Sequence, residues 1–236
     1  MREVDTLVIH LERATDRAAN VTALSEACGG KLTVVDAVDG RQMSQQERSH
    51  YQPRFLSPAY PFRLNDGEIG CFLSHRRAWS IIANGSVPFG IVFEDDVVNV
   101  SGEFAAHAAW LASVASPDSY VRLLKKQTRA EPGDVIAQQG SWTLSKPRRV
   151  GLRAAAQLVG REAAQRLLEW TEVFDRPVDT ALQMAWLHKV PMLVAGPSLF
   201  ETMGASTVSR RRLSVAQRLH REIARPLYRL KVAALS

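Results

Sequence analysis

The residues with the clearest chemical potential are three consecutive acids, Glu94, Asp95 and Asp96, which follow the apolar run 91–93. Adjacent carboxylates repel one another, and burying them is costly unless a cation or hydrogen bonds compensate the charge. The apolar run is typical of a buried strand, and the carboxyl ends of strands in an α/β sheet open into the ligand crevice. Acids at that position are suited to holding a divalent metal against substrate phosphates. Acids solvated at a surface turn would give the same pattern.

The segments before the acids predict a β-α-β unit. Residues 6–11 and 31–37 are strand candidates, and residues 15–28 predict a helix that ends at Gly29 and Gly30. This order favours a parallel sheet with right-handed crossover connections. The sequence contains neither GxGxxG after the first strand nor a GxxxxGKS or GxxxxGKT motif, which excludes a dinucleotide fingerprint and a P-loop.

A helix is predicted over residues 67–84, with an Asn or Asp cap before it and Gly85 as its end. Glu68 and His75 are seven residues apart, so they project from nearly the same face, roughly 10 Å apart. Glu68 also suits the positive end of the helix dipole, and a lone histidine is often structural. The preceding segment, 52–66, holds three prolines and is predicted to be a long, functional loop.

The second half of the chain continues the alternation of strands and helices. The predicted elements are a helix at 103–115, a strand at 120–124, a hairpin at 133–145 turning at Gly140, the stretch 154–159 leading into a helix at 161–172, a helix opened by Pro177 with Asp179 in its first turn, and a strand at 190–194. Together these elements predict one α/β domain over residues 1–205, with a mainly parallel central sheet flanked by helices.

The charge of the chain is concentrated at its C-terminal end. The 236 residues carry a net charge of +6, but residues 206–236 alone contain seven Arg and one Lys against a single Glu. The tail is therefore +7 and residues 1–205 are −1. A nucleic-acid-binding protein more often spreads its basic residues over a folded face with aromatics between them, so the sequence does not favour a nucleic-acid partner.

The basic tail has an amphipathic pattern. Apolar residues recur at intervals of three or four and predict an apolar stripe on a basic helix that is interrupted near Pro226. They are Leu213, Ala216, Leu219, Ile223, Leu227 and Leu230. The pattern resembles an interfacial helix on an anionic membrane surface. A helix that packs back on the domain with a solvated basic face is the alternative.

Cysteine usage and hydropathy bear on the compartment. Cys28 and Cys71 are the only cysteines and form no CxxC motif, which disfavours a disulfide scaffold and a cysteine-based zinc site and indicates a reducing compartment. The amino terminus has acids where a secretory signal needs a basic start, and no apolar run of 18 residues occurs. We expect a cytoplasmic protein, peripheral at the inner face of the membrane if the tail binds lipid.

Four short motifs stand in order within the first 98 residues: VIHLER (8–13) followed by Asp16 and Arg17, DAVDG (36–40), GEIGC (67–71) with LSH (73–75), and VFEDDV (92–97). This order resembles glycosyltransferase family 25, the lipooligosaccharide galactosyltransferases and their collagen-modifying relatives. The resemblance implies a GT-A type fold, a nucleotide-sugar donor that is most often UDP-linked, and inverting transfer of a hexose such as galactose onto a sugar hydroxyl. A glycan or lipid-linked glycan would be the acceptor.

The resemblance also implies a donor and metal site. Mg²⁺ or Mn²⁺ held by Asp96, with Asp95 or Glu94, would neutralise the charge that develops on the departing diphosphate. The predicted donor contacts are Arg13, Arg17, Asp39, His75, Glu94, Asp95 and Arg122. From the residues alone, Arg17 could equally lie on a helix surface, and Asp39 could belong to an ordinary turn.

Inverting transfer needs a base that takes the proton from the acceptor hydroxyl. Asp179 is the candidate because it belongs to a family-like Pro-Val-Asp segment, although an acid in the first turn of a helix is common for dipole reasons. Glu68 and the carboxylates of the 94–96 cluster are its competitors.

The sequence departs from the family pattern at several positions. Relatives tend to have a Gly-Thr-Ala-Tyr-like stretch at 154–157, where this chain has AAAQ; VRLL at 121–124 lacks the acid that often follows the arginine; and His10 replaces a commoner Asn. Two other functions remain open. An acidic strand end also suits a metal-dependent phosphoryl or nucleotidyl transferase, and the fold could belong to a non-catalytic member that binds a glycan, a lipid surface or a partner.

Overall fold

A computed structural model of the chain describes residues 3–99, 102–124, 133–203 and 215–235, with only the backbone described at 215–220. The strands are β1 (Val4–His10), β2 (Thr33–Asp36), β3 (Phe89–Glu94), β4 (Val97–Asn99), β5 (Tyr120–Arg122), β6 (Gly133–Gln139), β7 (Trp142–Pro147), β8 (Ala156–Gly160), β9 (Met192–Gly196) and β10 (Phe200–Thr202). The helices are α1 (Ala18–Ala27, after the 3-10 turn Thr15–Arg17), α2 (Gln45–Ser49), α3 (Asp66–Asn84), α4 (Phe104–Val114), α5 (Arg161–Trp170), α6 (Val178–Leu182), α7 (Ala185–His188) and α8 (Val215–Ala233).

Within these residues, eight strands form one mixed sheet in the order β2-β1-β3-β8-β5-β9-β7-β6. The pairs β1 with β2, β1 with β3, and β5 with β9 are parallel. The other four pairs are antiparallel, because β8 runs back between β3 and β5 and the hairpin of β6 and β7 adds to the far edge. The α/β fold with a large central sheet flanked by helices is confirmed, and so is its β-α-β opening.

The central strands are buried on both faces, as expected for a sheet with cover on each side. One core cluster lies under α3 and α5 and includes Phe72, Trp79 and Leu167, all with no exposed surface. The other lies under α4 and includes Phe93 and Leu111. This double cover holds the ends of β1 and β3 in fixed positions. Ile9 lies opposite Glu94 in the parallel register, so both strands end at the same edge of the sheet.

Helix α3 is fixed at its start by a capping box. The Asn65 side chain accepts from the Glu68 backbone N–H, and the Glu68 carboxylate accepts from the Asn65 backbone N–H at 2.8 Å. Gly70 allows the helix to lie against the chain that follows β2, since a Cβ there would stand 2.5 Å from the Val38 carbonyl oxygen. One turn later, the Ser74 hydroxyl accepts from the Val38 N–H.

The predicted elements are found within a few residues of their expected bounds, including the hairpin at Gly140 and the helix that Pro177 caps. Residues 52–65 contain no helix or strand, as the prolines indicated, and the last residue of the predicted loop, Asp66, begins α3. Four short elements were not predicted: α2, α7, β4 and β10. Each has five residues or fewer, too few for a hydrophobic period to be recognised.

Helix α8 runs through Pro226, so the predicted interruption of the tail helix is wrong. The helix packs on the domain through Tyr228 and Val232, each 7% exposed. The predicted stripe residues Ile223, Leu227 and Leu230 face outward and are 54–67% exposed. Leu213 and the arginines at 210–212 lie outside the described residues, as do the side chains of Ala216, Arg218 and Leu219. Among the described helices, none is long and apolar enough to cross a bilayer.

Candidate active site

A cleft of about 820 Å³ lies at the carboxyl end of β3, where Glu94 and Asp96 line it. Its charged lining comes from four acids and four arginines: Glu68, Glu94, Asp96, Asp179, Arg153, Arg221, Arg225 and Arg229. Tyr60 and Phe62 of the proline-rich loop and Tyr228 of α8 contribute aromatic surface. The acids predicted from the β3 end are thus brought together with those of α3 and α6.

Asp95 lies outside the cleft lining and has partners for both carboxylate oxygens. Its Oδ1 accepts from the Arg17 guanidinium at 2.6 Å, and its Oδ2 lies 2.9 Å from Nδ1 of His10. The Arg17 side chain is only 8% exposed, so the two buried charges compensate each other. The Asn20 amide donates to the backbone carbonyls of Asp95 and Val97 and fixes the turn between them. In this structure Asp95 and Arg17 hold the acidic turn in place.

Asp96 has the opposite environment. It lines the cleft, and its buried Oδ1 has no hydrogen-bond partner among the described residues. Arg17 lies 3.8 Å from its other oxygen, a distance that is long for a direct bond. Burial, with the neighbouring charge of Glu94 as the next cause, raises the pKa of Asp96 to about 6. A buried oxygen without a partner is the electrostatic situation that a bound cation would relieve.

Glu94, also in the cleft lining, is held by a hydrogen-bond chain that starts in the core. The Trp79 indole N–H can only donate, and it lies 3.1 Å from Oε1 of Gln157. The amide nitrogen of Gln157 must therefore donate to Nδ1 of His75, at 2.9 Å. His75 is thereby fixed as the neutral tautomer with its proton on Nε2, and it donates that proton to Glu94 Oε1 at 3.1 Å.

The same series of hydrogen bonds limits metal binding by a second group of potential ligands. Ligand atoms of Cys71, His75 and Glu94 lie within 4.8 Å of one another. Burial raises the pKa of the Cys71 thiol well above its usual range, so the sulfur stays protonated without a metal. With the proton on Nε2, His75 has no lone pair directed at this group. A transition metal here would require the hydrogen bonds through Gln157 to be rearranged.

Asp179 stands in the first turn of α6 and lines the cleft. Burial raises its pKa, while weak bonds from the Arg153 N–H at 3.4 Å and the Thr180 hydroxyl at 3.2 Å act in the other direction. Glu68 lines the cleft as well, but one of its oxygens is used in the capping box of α3.

Of the seven predicted donor contacts, only Glu94 lines the cleft; Arg17, Asp95 and His75 lie outside its lining, and Arg13, Asp39 and Arg122 bond elsewhere. Arg13 and Asp39 form an ion pair with each other, with Nε to Oδ2 at 2.6 Å, and their shared hydrogen bonds raise the pKa of Arg13 and lower that of Asp39. The Arg122 side chain is buried and donates to the Leu152 carbonyl at 2.9 Å. Arg122 therefore supports the 151–153 segment, whose Arg153 does reach the cleft.

Helix α8 is attached to the cleft by a buried polar cluster. The Tyr228 hydroxyl accepts from the Arg176 guanidinium at 2.7 Å. Arg176 is itself fully buried and makes two bonds to the carboxylate of Asp175, with further bonds to the Leu56 and Pro58 carbonyls. Tyr60 packs edge-on against the Tyr228 ring at 5.3 Å. The proline-rich loop and α8 therefore form a common wall of the cleft.

A scan against protein-family models matches residues 4–182 to "Glycosyltransferase family 25 (LPS biosynthesis protein)". The chain belongs to glycosyltransferase family 25. The match covers all the cleft residues except Gln183, Thr202 and those of α8.

Curated relatives in family 25 have both active and inactive names. The chain is 28% identical over 216 residues to a mouse protein named "Inactive glycosyltransferase 25 family member 3", covering 83% of the chain and 36% of the relative. It is 32% identical over 114 residues to "Lacto-N-neotetraose biosynthesis glycosyltransferase LgtB" of Neisseria meningitidis, covering 48% of the chain and 40% of that protein. The chain thus spans well under half the length of these relatives.

Among solved structures, a glycosyltransferase involved in glycosylation of the major capsid of PBCV-1 aligns over 93% of the chain and 98% of its own, at 12% identity and a TM-score of 0.46.

The sequence did not identify several residues that line the cleft or support it. Gln157 orients His75, and its signal was a single amide inside the apolar strand β8. Tyr60 and Phe62 lie in the loop predicted to be functional, but nothing in the loop's composition distinguishes them. Asn20 and Arg153 had no sequence signal. Their roles depend on which backbone lies beside them in the folded chain.

Proposed function

We propose that this chain is a glycosyltransferase domain that transfers a hexose, such as galactose, from a UDP-sugar to a hydroxyl of a glycan acceptor with inversion. The observation that carries the proposal is the buried, unpartnered Oδ1 of Asp96 in the wall of a cleft large enough for a nucleotide-sugar. Membership of family 25 supports the reaction class.

Asp96 is the proposed metal ligand, and Glu94 is its neighbour in the cleft. Carboxylate oxygens suit Mg²⁺ or Mn²⁺, and one such ion would neutralise charge that develops on the diphosphate. Asp95, with both oxygens already bonded, is assigned to holding the turn together with Arg17. Arg17 acts on the donor through that turn, while contacts from Arg13, Asp39 and Arg122 to the donor stay predictions.

Asp179 is the proposed base. A carboxylate takes a proton from a hydroxyl more readily when its pKa is raised toward neutrality, and burial acts on Asp179 in that direction. Its bonds from the Arg153 N–H and the Thr180 hydroxyl are long, which leaves capacity to accept from an acceptor hydroxyl. Glu68 remains the competing candidate because it lines the same cleft.

The principal test is turnover of UDP-galactose with Mn²⁺ and a panel of saccharide acceptors. We expect wild-type protein to release UDP and form a glycoside, and Asp96→Asn to lower that rate by about 100-fold or more. Asp16→Asn, a change of the same charge at an exposed position, is the control. Release of pyrophosphate or inorganic phosphate in place of UDP would indicate a nucleotidyl or phosphoryl transferase.

A non-catalytic role is the second candidate, because several mammalian relatives are named inactive. Wild type and Asp96→Asn decide between the candidates. If Asp96→Asn and wild type bind UDP equally with and without Mn²⁺, and neither turns over a donor, the chain binds ligands without catalysis.

We further propose that the outer face of α8 contacts an anionic membrane surface, which would suit a lipid-linked acceptor. The support is the exposed apolar stripe of Ile223, Leu227 and Leu230 on a basic helix. Binding to vesicles with phosphatidylserine should be weak and salt-sensitive, and it should be lost on deletion of residues 206–236 and in Ile223→Ser/Leu227→Ser. Val135→Ser/Ile136→Ser, which removes exposed apolar surface from β6, is the control. Equal vesicle binding by all forms would refute this role.

A further inference from the structure

The cleft has a basic wall that the proposed metal and base residues do not use. Its acids come from α3, α6 and the end of β3, whereas three of its four arginines come from α8: Arg221, Arg225 and Arg229. The family match ends at residue 182, so these arginines lie outside it. They are a property of this chain that the family assignment does not explain.

Two of these arginines are positioned over an aromatic ring. The guanidinium carbon of Arg221 lies 5.1 Å from the centroid of Phe62, and that of Arg225 lies 6.0 Å from the same centroid. Contact with a ring face attracts a guanidinium and leaves its N–H groups free to donate in the plane. Across the described part of the chain, no carboxylate comes within 4.0 Å of Arg221, Arg225 or Arg229.

The orientation of α8 about its own axis directs the arginines toward the cleft. Tyr228 is buried on Arg176 and Tyr60, which prevents the helix from rotating about its axis. Arg221 and Arg225 precede Tyr228 by seven and three residues, so they lie on the same face about two turns and one turn away, respectively. All three arginines accordingly line the cleft.

We propose that Arg221, Arg225 and Arg229, with Phe62 beneath the first two, form a subsite for a phosphate group carried by the acceptor. Guanidinium groups bind phosphate through paired, charge-assisted hydrogen bonds, and three of them without an acidic partner favour an anion in the space they face. The donor diphosphate is assigned to the metal end at Asp96, so the cleft holds two anions on different elements. The assignment of this phosphate to the acceptor rests on the proposed function, whereas the presence of an anion subsite does not.

The test is binding of inorganic phosphate by the full chain, measured by isothermal titration calorimetry with the protein saturated with UDP and Mg²⁺. We expect Arg221→Gln/Arg225→Gln to weaken phosphate binding roughly tenfold or more and to leave UDP binding unchanged. Lys231→Gln, a charge removal on the same helix outside the cleft lining, should bind phosphate as wild type does. Thermal unfolding of each variant checks that α8 remains docked.

Equal phosphate affinity in wild type, Arg221→Gln/Arg225→Gln and Lys231→Gln would overturn the subsite. Competition between phosphate and UDP, with loss of UDP affinity in the double variant, would assign the arginines to the donor diphosphate and overturn the acceptor role. If wild type binds no UDP, the proposed function fails while the phosphate titration without UDP still tests the subsite.

Discussion

Two aspartates at the end of β3, Asp95 and Asp96, have opposite environments on the two sides of the turn. On the closed side, Asp95 is bonded to Arg17 and His10 and lies outside the cleft lining. On the open side, Asp96 lines the cleft with one oxygen unpartnered among the described residues. Glu94 is intermediate, because His75 donates to one of its oxygens while the residue still lines the cleft. Asp95 and Asp96 form the turn between β3 and β4, and the two side chains leave that turn toward different surroundings, so one acidic run supplies both the support and the site.

Part of the negative charge in the acidic cluster serves to stabilise the fold. Asp95 neutralises a buried arginine, and a buried ion pair is costly to break even where it adds little net stability. Asp96 has no such compensation and is less stable as an anion, as its raised pKa indicates. The ion pair of Asp95 therefore fixes the turn that places Asp96 in the cleft.

The largest expected effect comes from the closed side. Asp95→Ala should lower the free energy of unfolding by about 3–5 kcal/mol, because it leaves the guanidinium of Arg17 buried without its main partner. Urea unfolding of wild type and variant measures this loss. Asp16→Ala removes an exposed carboxylate from the neighbouring 3-10 turn and should cost far less. Equal losses in the two variants would remove the distinction between the sides.

The next effect concerns the chain of hydrogen bonds that holds Glu94. Gln157→Leu should cost roughly 1–3 kcal/mol, since Nδ1 of His75 and the Trp79 N–H lose their partner in the core. Gln157→Glu gives a sharper test. Its carboxylate can still accept from Trp79, but it requires a proton on Nδ1 of His75, so the ring between two carboxylates takes up a second proton and keeps its bond to Glu94.

The ¹⁵N spectrum of labelled histidine distinguishes these states. In wild type we expect the His75 signals to show a protonated Nε2 and an unprotonated Nδ1, with both nitrogens protonated in Gln157→Glu. A wild-type spectrum with the proton on Nδ1 would contradict the tautomer. Zinc titration supplies a second check, because the Nε2–H tautomer should give no stoichiometric zinc binding at Cys71, His75 and Glu94.

The smallest effect is on the open side and has the opposite sign. Asp96→Asn should raise the stability of the metal-free protein by about 1–2 kcal/mol at pH 8, after allowance for solvent screening, because it removes a desolvated charge. The folded state binds this proton more tightly than the unfolded state, whose pKa is 3.8. Wild-type stability should therefore decline as the pH rises from about 4 to about 6, and this contribution should vanish in the variant. A destabilised Asp96→Asn at pH 8 would show that Asp96 is structurally satisfied.

Much of the fold could be predicted because its signals are local. The strand at β1, the capped helix α3, the hairpin at Gly140 and the acids that end β3 each depend on residues within one element. The pairing of β8 between β3 and β5 could not be predicted in the same way. Strand order depends on contacts between segments more than 30 residues apart, and no local pattern encodes them.

The amino-acid sequence by itself determined that an acidic strand end, a Glu68 to His75 helix and a basic amphipathic tail would be present. Only the tertiary structure decided which carboxylate is satisfied, because Arg17, His10 and Gln157 reach the site from distant elements. It also decided the orientation of α8. If the tail packs on the domain, the apolar period predicts that Ile223, Leu227 and Leu230 are buried, but Tyr228 is buried instead. The physical reason is that Tyr228 both fills apolar space and satisfies the buried Arg176, a partnership that hydrophobic periodicity does not register.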